Sequence, residues 1–157
     1  MKVIITPSKL AGTVKVPASK SITHRALVCA ALARGTNVVH NVLRSEDIDK
    51  TIAGLRAFGI KIEEISPDTL RVIGQGGKLI APQNPVDLGA SGTSLRFFIA
   101  LAAITRGKTY ITGTTRLLNR PLSALVQALI SQGAQIKQTA TEIKVTGTQP
   151  RGNIITI

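Results

Sequence analysis

Pro17-Ala18-Ser19-Lys20-Ser21-Ile22-Thr23-His24-Arg25 and Asp87-Leu88-Gly89-Ala90-Ser91-Gly92-Thr93-Ser94-Leu95-Arg96 are two versions of one device. In each, a strand runs into a small polar turn, and the turn opens an apolar helix with an arginine near its start. The first turn of a helix has unpaired backbone N–H groups and partial positive charge, so it attracts anions. Lys20, Arg25 and Arg96 beside those turns suit the place to phosphate or carboxylate.

Working outward from the two turns, the chain repeats itself. Arg34-Gly35 returns as Arg106-Gly107 and Arg44 returns as Arg116, an offset of about 72 residues. Gly59 returns as Gly133 and Gly74 as Gly147, one or two residues later than that offset. Matches in order at a nearly constant offset mean that one supersecondary unit was copied.

The pattern predicts short strands over residues 2–6 and 13–16 around a Pro7/Gly12 turn, then a helix over 21–33. Apolar residues cover most of that helix's circumference, so it is expected to be buried. A strand over 37–42 follows. Ser45 and Asp47 are cap candidates for a second helix carrying Ile48, Ile52 and Leu55 on one face and ending at Gly59. Residues 61–65 and 70–73 read as a hairpin around Pro67-Asp68. The second copy repeats the order. It has a helix over 94–105, a strand over 109–112, and a helix capped by Asn119 with Pro121 in its first turn. Leu122, Leu125, Val126, Leu129 and Ile130 form the apolar stripe, Gly133 the stop, and residues 135–137 and 143–145 the closing strands. The expected fold is mixed α+β: repeated β-α-β-α-β-β units, a sheet layer around buried helices. Residues 1–16 read as a strand pair belonging to another domain, 17–80 as the first unit and 81–150 as the second. Residues 151–157 read as the start of a third, which makes the chain the N-terminal piece of a longer protein.

Composition narrows the field. The chain has 157 residues, 43% of them hydrophobic, enough for one core. Aromatics are few (Phe58, Phe97, Phe98, Tyr110), so aliphatic side chains must fill that core. Twenty basic against eight acidic residues leave a net charge of +12. Such a balance favours anionic partners, unless carboxylates elsewhere in a longer protein offset it. Cys29 is the single cysteine, which excludes an internal disulfide and a cysteine-rich metal site; it is expected to be buried in its helix. The first residues lack a signal-peptide core, and the longest apolar run, 97–104, is too short to span a bilayer. A soluble, cytoplasmic protein without a membrane partner is expected.

Three stretches carry a family resemblance. Residues 17–27, from Pro17 through Lys20-Ser21 to Leu27, closely resemble the N-terminal signature of the EPSP synthase (3-phosphoshikimate 1-carboxyvinyltransferase) family. Gly89-Ala90-Ser91-Gly92-Thr93-Ser94-Leu95-Arg96 is similar to its second signature. Thr112-Gly113-Thr114-Thr115-Arg116-Leu117-Leu118-Asn119-Arg120-Pro121 is similar to its third. The resemblance implies the enolpyruvyl transferase fold and transfer of the enolpyruvyl group of phosphoenolpyruvate to the 5-hydroxyl of shikimate 3-phosphate. It implies no metal and no organic cofactor. It also implies a missing C-terminal portion as partner, with the acidic catalytic residues beyond residue 157.

Residue by residue, the resemblance assigns Ser21 and Arg25 to the shikimate carboxylate. Lys20 goes to phosphoenolpyruvate and the reacting hydroxyl, as the one candidate catalytic group here. Gly92 would let the backbone approach phosphoenolpyruvate, with Thr93 and Arg96 beside it. Arg116 would clamp the phosphate, with Arg120 a weaker neighbour. Ala90 departs from the polar residue that many members carry. Plainer roles stand beside these: Lys20 or Arg116 as a solvated charge, Ser21 as a helix cap, Arg25 as an ion-pair partner, Gly92 as a turn residue, Arg96 as a helix anchor. His24 and His40 read as structural or exposed, and Glu46, Asp47 and Asp49 as first-turn acids favoured by the helix dipole. Two rivals remain. The enolpyruvyl transferase acting on a UDP-amino sugar typically has Lys-Asn where this chain has Lys20-Ser21. A basic nucleic-acid-binding module fits the charge, but no nucleic-acid motif is present and aromatics are not interleaved with the cations.

Overall fold

A computed structural model describes residues 11–148 together with Val3, Ile4, Pro7 and Lys9. Ser19, in extended conformation, starts the first helix: its hydroxyl accepts from the Ile22 N–H and its carbonyl from the Thr23 N–H. That helix, α1 (Lys20–Leu32), ends where Ala33 turns extended and donates its N–H to Cys29. Gly35, at φ +80, lies within the strand that follows, β1 (Arg34–Val39). Ser45 caps α2 (Glu46–Ala57), whose first turn holds Glu46, Asp47 and Asp49 against the positive end of the helix. Gly59, at φ +86, closes it in the left-handed conformation. The Ile60 N–H returns to Leu55 and the Gly59 N–H to Arg56, the paired bonds that satisfy a helix's last carbonyls. Then β2 (Lys61–Ser66) and β3 (Thr69–Gln75) form the expected hairpin.

The second copy runs β4 (Val86–Asp87), α3 (Gly92–Ile104), β5 (Gly107–Thr112), α4 (Thr115–Leu118), α5 (Ser123–Ser131), β6 (Gln135–Gln138) and β7 (Ile143–Gly147). The first sheet has the order β1-β3-β2, all antiparallel. The second has the order β4-β5-β7-β6, in which β5-β7-β6 reproduces the first and β4 adds a parallel edge. Gly133 closes α5 as Gly59 closes α2, with the Ala134 N–H on Leu129 and the Gly133 N–H on Ile130. Gly35 lies opposite Gly74, and Gly107 opposite Gly147. A Cβ on Gly74 would fall within 3.0 Å of the carbonyl oxygens of Ala30 and Ala33, and one on Gly147 within 3.0 Å of those of Ala102 and Thr105. In both copies the end of the inner helix rests on a glycine of the sheet.

The two copies share one core. Leu27, Ala31, Ile48, Leu55, Phe58 and Leu70 from the first are fully buried with Leu95, Phe98, Ile99, Ile111 and Ile143 from the second. Phe58 and Phe98 meet across the junction, ring centroids 5.7 Å apart. Gly54 makes room: a Cβ there would lie within 3.0 Å of the Phe98 ring, so α2 and α3 approach closely because that position has no side chain.

Several expectations need correction. Residues 13–16 form no strand and are exposed. The strand expected over 2–6 and the third-unit start over 151–157 lie outside the described residues, apart from Val3 and Ile4. The strand expected over 37–42 spans Arg34–Val39 instead, because Arg34 and Gly35 already pair with β3. Helix α1 is open on one side: Ser21, Ile22, Arg25 and Cys29 are exposed, and no described element covers them. The exposed Cys29 overturns the expectation of a buried thiol. Asn119 does not cap a helix start. It ends α4, whose N-cap is Thr114, and Leu122 precedes α5 without a side-chain cap. Pro121 therefore stands outside α5, in the link between the two helices.

Candidate functional site

Both quoted turns meet the start of α2, and the second of them also meets the Gly113 turn. The Gly89 carbonyl accepts from the Thr114 N–H at 2.8 Å, and a Cβ on Gly113 would sit 2.7 Å from that same oxygen. A Cβ on Gly89, at φ +56, would sit 3.1 Å from Cε of Lys50 and 3.6 Å from Oε1 of Glu46. Lys50 pairs with Asp87, whose other oxygen accepts from the Gly89 N–H. These two bonds hold the Asp87 carboxyl below the usual carboxylate range, the lysine being the larger cause.

On α1, Lys20 Nζ lies 2.7 Å from Asp47 Oδ2 on α2. Ser21 is exposed and is not the cap; Ser19 has that role, because the helix begins one residue earlier than its apolar pattern. Arg25 reaches back to the Ser21 carbonyl at 2.8 Å and meets no carboxylate among the described residues, so it is not a structural ion-pair partner there. On α3, Gly92 is the buried first residue, Thr93 is half-buried, and Arg96 donates to the Gly92 carbonyl at 3.2 Å. The two helices thus carry the same arginine arrangement, each guanidinium folded over its own first turn.

Arg120 was expected as a weaker neighbour, yet its guanidinium lies against Gly92, so that a Cβ on Gly92 would come within 3.0 Å of Nη1 and Cζ. Arg116 is exposed on α4 and has no carboxylate partner among the described residues. The geometry therefore groups Gly92, Arg96 and Arg120 at one helix start, and Lys20, Ser21 and Arg25 at the other. Among the described residues, Arg116 forms no hydrogen bond or ion pair with either group. Ala90 is exposed in the second turn.

A buried hydroxyl chain joins the two helix starts. His24 Nδ1 is 2.8 Å from Thr51 Oγ1, Thr51 Oγ1 is 2.8 Å from Ser94 Oγ, and Ser94 Oγ is 2.6 Å from Ser91 Oγ. Ser91 is the cap of α3. Burial lowers the His24 pKa from the ordinary imidazole value; Asp47 opposes that shift, while Lys20 and Arg25 add to it. Neither this chain nor the Lys20–Asp47 pair was read from the sequence. The available signal was Asp47 and Thr51 at helical spacing on one face of α2.

Among the described residues, no three His, Cys, Asp or Glu side chains gather as a metal site would require. No described helix is long and apolar enough to cross a membrane. A cleft of about 420 Å³ on the second sheet is lined by Lys108, Gln135, Ile136, Lys137, Lys144 and Thr146, and contains none of the eight site candidates.

A duplicated α+β unit with two arginine-flanked helix starts linked through the core defines the class of fold. Within that class, the family model for EPSP synthase (3-phosphoshikimate 1-carboxyvinyltransferase) matches residues 4–157, and the chain belongs to that family. It is 36% identical over 150 residues to the 3-phosphoshikimate 1-carboxyvinyltransferase of Clostridium novyi, covering 90% of this chain and 34% of that protein. It is 41% identical over 126 residues to that of Methanothermobacter thermautotrophicus, covering 80% of this chain and 30% of that protein. The solved EPSP synthase of Acinetobacter baumannii superposes with a TM-score of 0.80 at 32% identity, over 88% of this chain and 32% of that one. The chain thus spans about a third of the length of the relatives it matches.

Proposed function

We infer that this chain is the substrate-binding part of a transferase that moves the carboxyvinyl group of phosphoenolpyruvate to the 5-hydroxyl of shikimate 3-phosphate. The enzyme would work in the cytoplasm, and the remaining two thirds of it would complete the site. On that reading, 17–80 and 81–150 would be two repeat units, and 1–16 and 151–157 would belong to neighbouring parts of the enzyme. The observation that carries it is the linkage of α1 and α3 through buried hydroxyls, with Lys20 and Arg25 at one start and Arg96 and Arg120 at the other.

Two polyanions brought together repel by a few kcal/mol for each pair of unit charges about 4 Å apart at an effective dielectric near 20. Preset N–H groups and cations offset that repulsion and orient the reactants. Ser21 and Arg25 would hold the shikimate carboxylate. Gly92 would admit the backbone N–H groups of α3 to a phosphate, with Thr93, Arg96 and Arg120 around it; Arg116, exposed on α4, would have to swing in to join them. Lys20 would exchange Asp47 for substrate and hold or move the proton of the reacting hydroxyl.

Titrating the ¹⁵N-labelled chain with shikimate 3-phosphate, then with phosphoenolpyruvate, tests this. The amides of Ser21 and Arg25 should move with the first and those of Gly92 and Thr93 with the second. Unmoved amides at millimolar ligand would refute it.

A further inference from the structure

We propose that His24 is a positioning residue for the anion site. Through Thr51 and Ser94 it fixes the start of α1 against the cap of α3, so that both sets of first-turn N–H groups address one space. The proposal rests on the function inferred above and extends it to residues that were given no substrate role.

The chemistry of burial argues for it. His24, Ser91, Ser94 and Thr51 are all fully buried. Polar groups removed from water are costly unless paired, and a shape-matched apolar cluster would fill the same space without that cost. His24 Nε2 has no partner among the described residues, so Nδ1 makes the one side-chain hydrogen bond of the imidazole there. What Nδ1 obtains is direction. Hydroxyl hydrogen bonds hold distance and angle, where aliphatic contacts let helices slide.

The chain also ends where direction matters. Ser91 Oγ bonds Ser94 Oγ and accepts from the Ser94 N–H at 3.4 Å, so it sets the orientation of the turn that presents Gly92 and Thr93. At the other end His24 stands between Lys20 and Arg25 on α1. The middle member, Thr51, also contacts the carbonyl of Asp47, whose side chain holds Lys20. The charged groups that act on the imidazole are Asp47 from α2 and Lys20 and Arg25 from α1. A shift of any one helix start moves the other two.

The test compares His24→Leu, His24→Asn and Ser94→Ala with the unchanged chain. Inorganic phosphate is the probe, and amide shifts are the readout. Asn keeps a polar atom near the position of Nδ1 and should restore binding to near the starting level. Leu and Ser94→Ala should weaken phosphate binding by about tenfold, the size of a modest coupling between sites. Without ligand they should also displace the Gly92 and Thr93 amides while leaving Val145 in β7 unmoved. Equal binding by the Leu and Asn variants, or unmoved Gly92 and Thr93 amides in the Leu variant, would overturn the proposal. If His24→Leu fails to fold, Ser94→Ala, which removes one oxygen, decides the question by the same criteria. If the unchanged chain does not bind phosphate, the functional reading fails. The ligand-free shifts of Gly92 and Thr93 then still decide whether His24 positions α3.

Discussion

Replacing Gly74 with alanine tests the reason for the duplicated fold. Gly74 lies in β3, beneath the carbonyl oxygens of Ala30 and Ala33 at the end of α1. A Cβ there would come within 3.0 Å of both, a separation that real Cβ atoms essentially never show. The obstructing atoms are backbone, anchored at one end by the helix and at the other by the bond from the Gly76 N–H to Ala33. No side chain can swing aside, so helix and sheet must separate. Overpacking of this kind costs about 3 kcal/mol at the upper end of its usual range. In a chain of this size that lowers Tm by about 6–12 °C. Gly147→Ala meets the equivalent oxygens of Ala102 and Thr105 in the second copy and should cost about as much. Gly77 is the control: its φ of +80 penalises alanine, but nothing lies within 4 Å, so Gly77→Ala should cost about 1 kcal/mol. The assay is thermal unfolding followed by circular dichroism. If Gly74→Ala cost no more than Gly77→Ala, the close approach of helix and strand would not be what requires glycine.

Two further outcomes are expected. Asp87 has a folded-state pKa below its unfolded value, so it binds fewer protons folded than unfolded above that folded pKa. Its contribution is therefore complete above the ordinary carboxylate pKa and is lost as pH falls through the folded value; Asp87→Asn should flatten that acid limb of stability against pH. Cys29 is exposed on α1, so a thiol reagent should label it in the native protein at a rate unchanged by mild denaturant; labelling only after unfolding would contradict the structure.

Much of this molecule was legible because it depends on near neighbours in the chain. Ile48, Ile52 and Leu55 read as one helical face, and all three are buried. Gly59 and Gly133 read as helix stops, and both adopt positive φ, which an L side chain resists. The hairpin at Pro67-Asp68 follows from a local turn preference. The misreadings came from assigning local signals without their partners. The first helix read as starting at Ser21, but Ser19 caps it and Lys20 begins it, and Asn119 looked like a helix start when it ends one. Cys29 looked buried because α1 is apolar nearly all round, yet burial depends on what packs against each side.

The sequence by itself determined that one unit is written twice, where Gly59 and Gly133 stop helices, and that cations flank two helix starts. These are matters of periodicity, capping and backbone freedom, which act over a few residues. Only the tertiary structure decided that Lys20 meets Asp47, that Arg120 lies on Gly92, and that His24 is tied to Ser91 through two hydroxyls. Apart from the Ser94–Ser91 bond, those contacts join residues 27 or more positions apart, so no local preference specifies them.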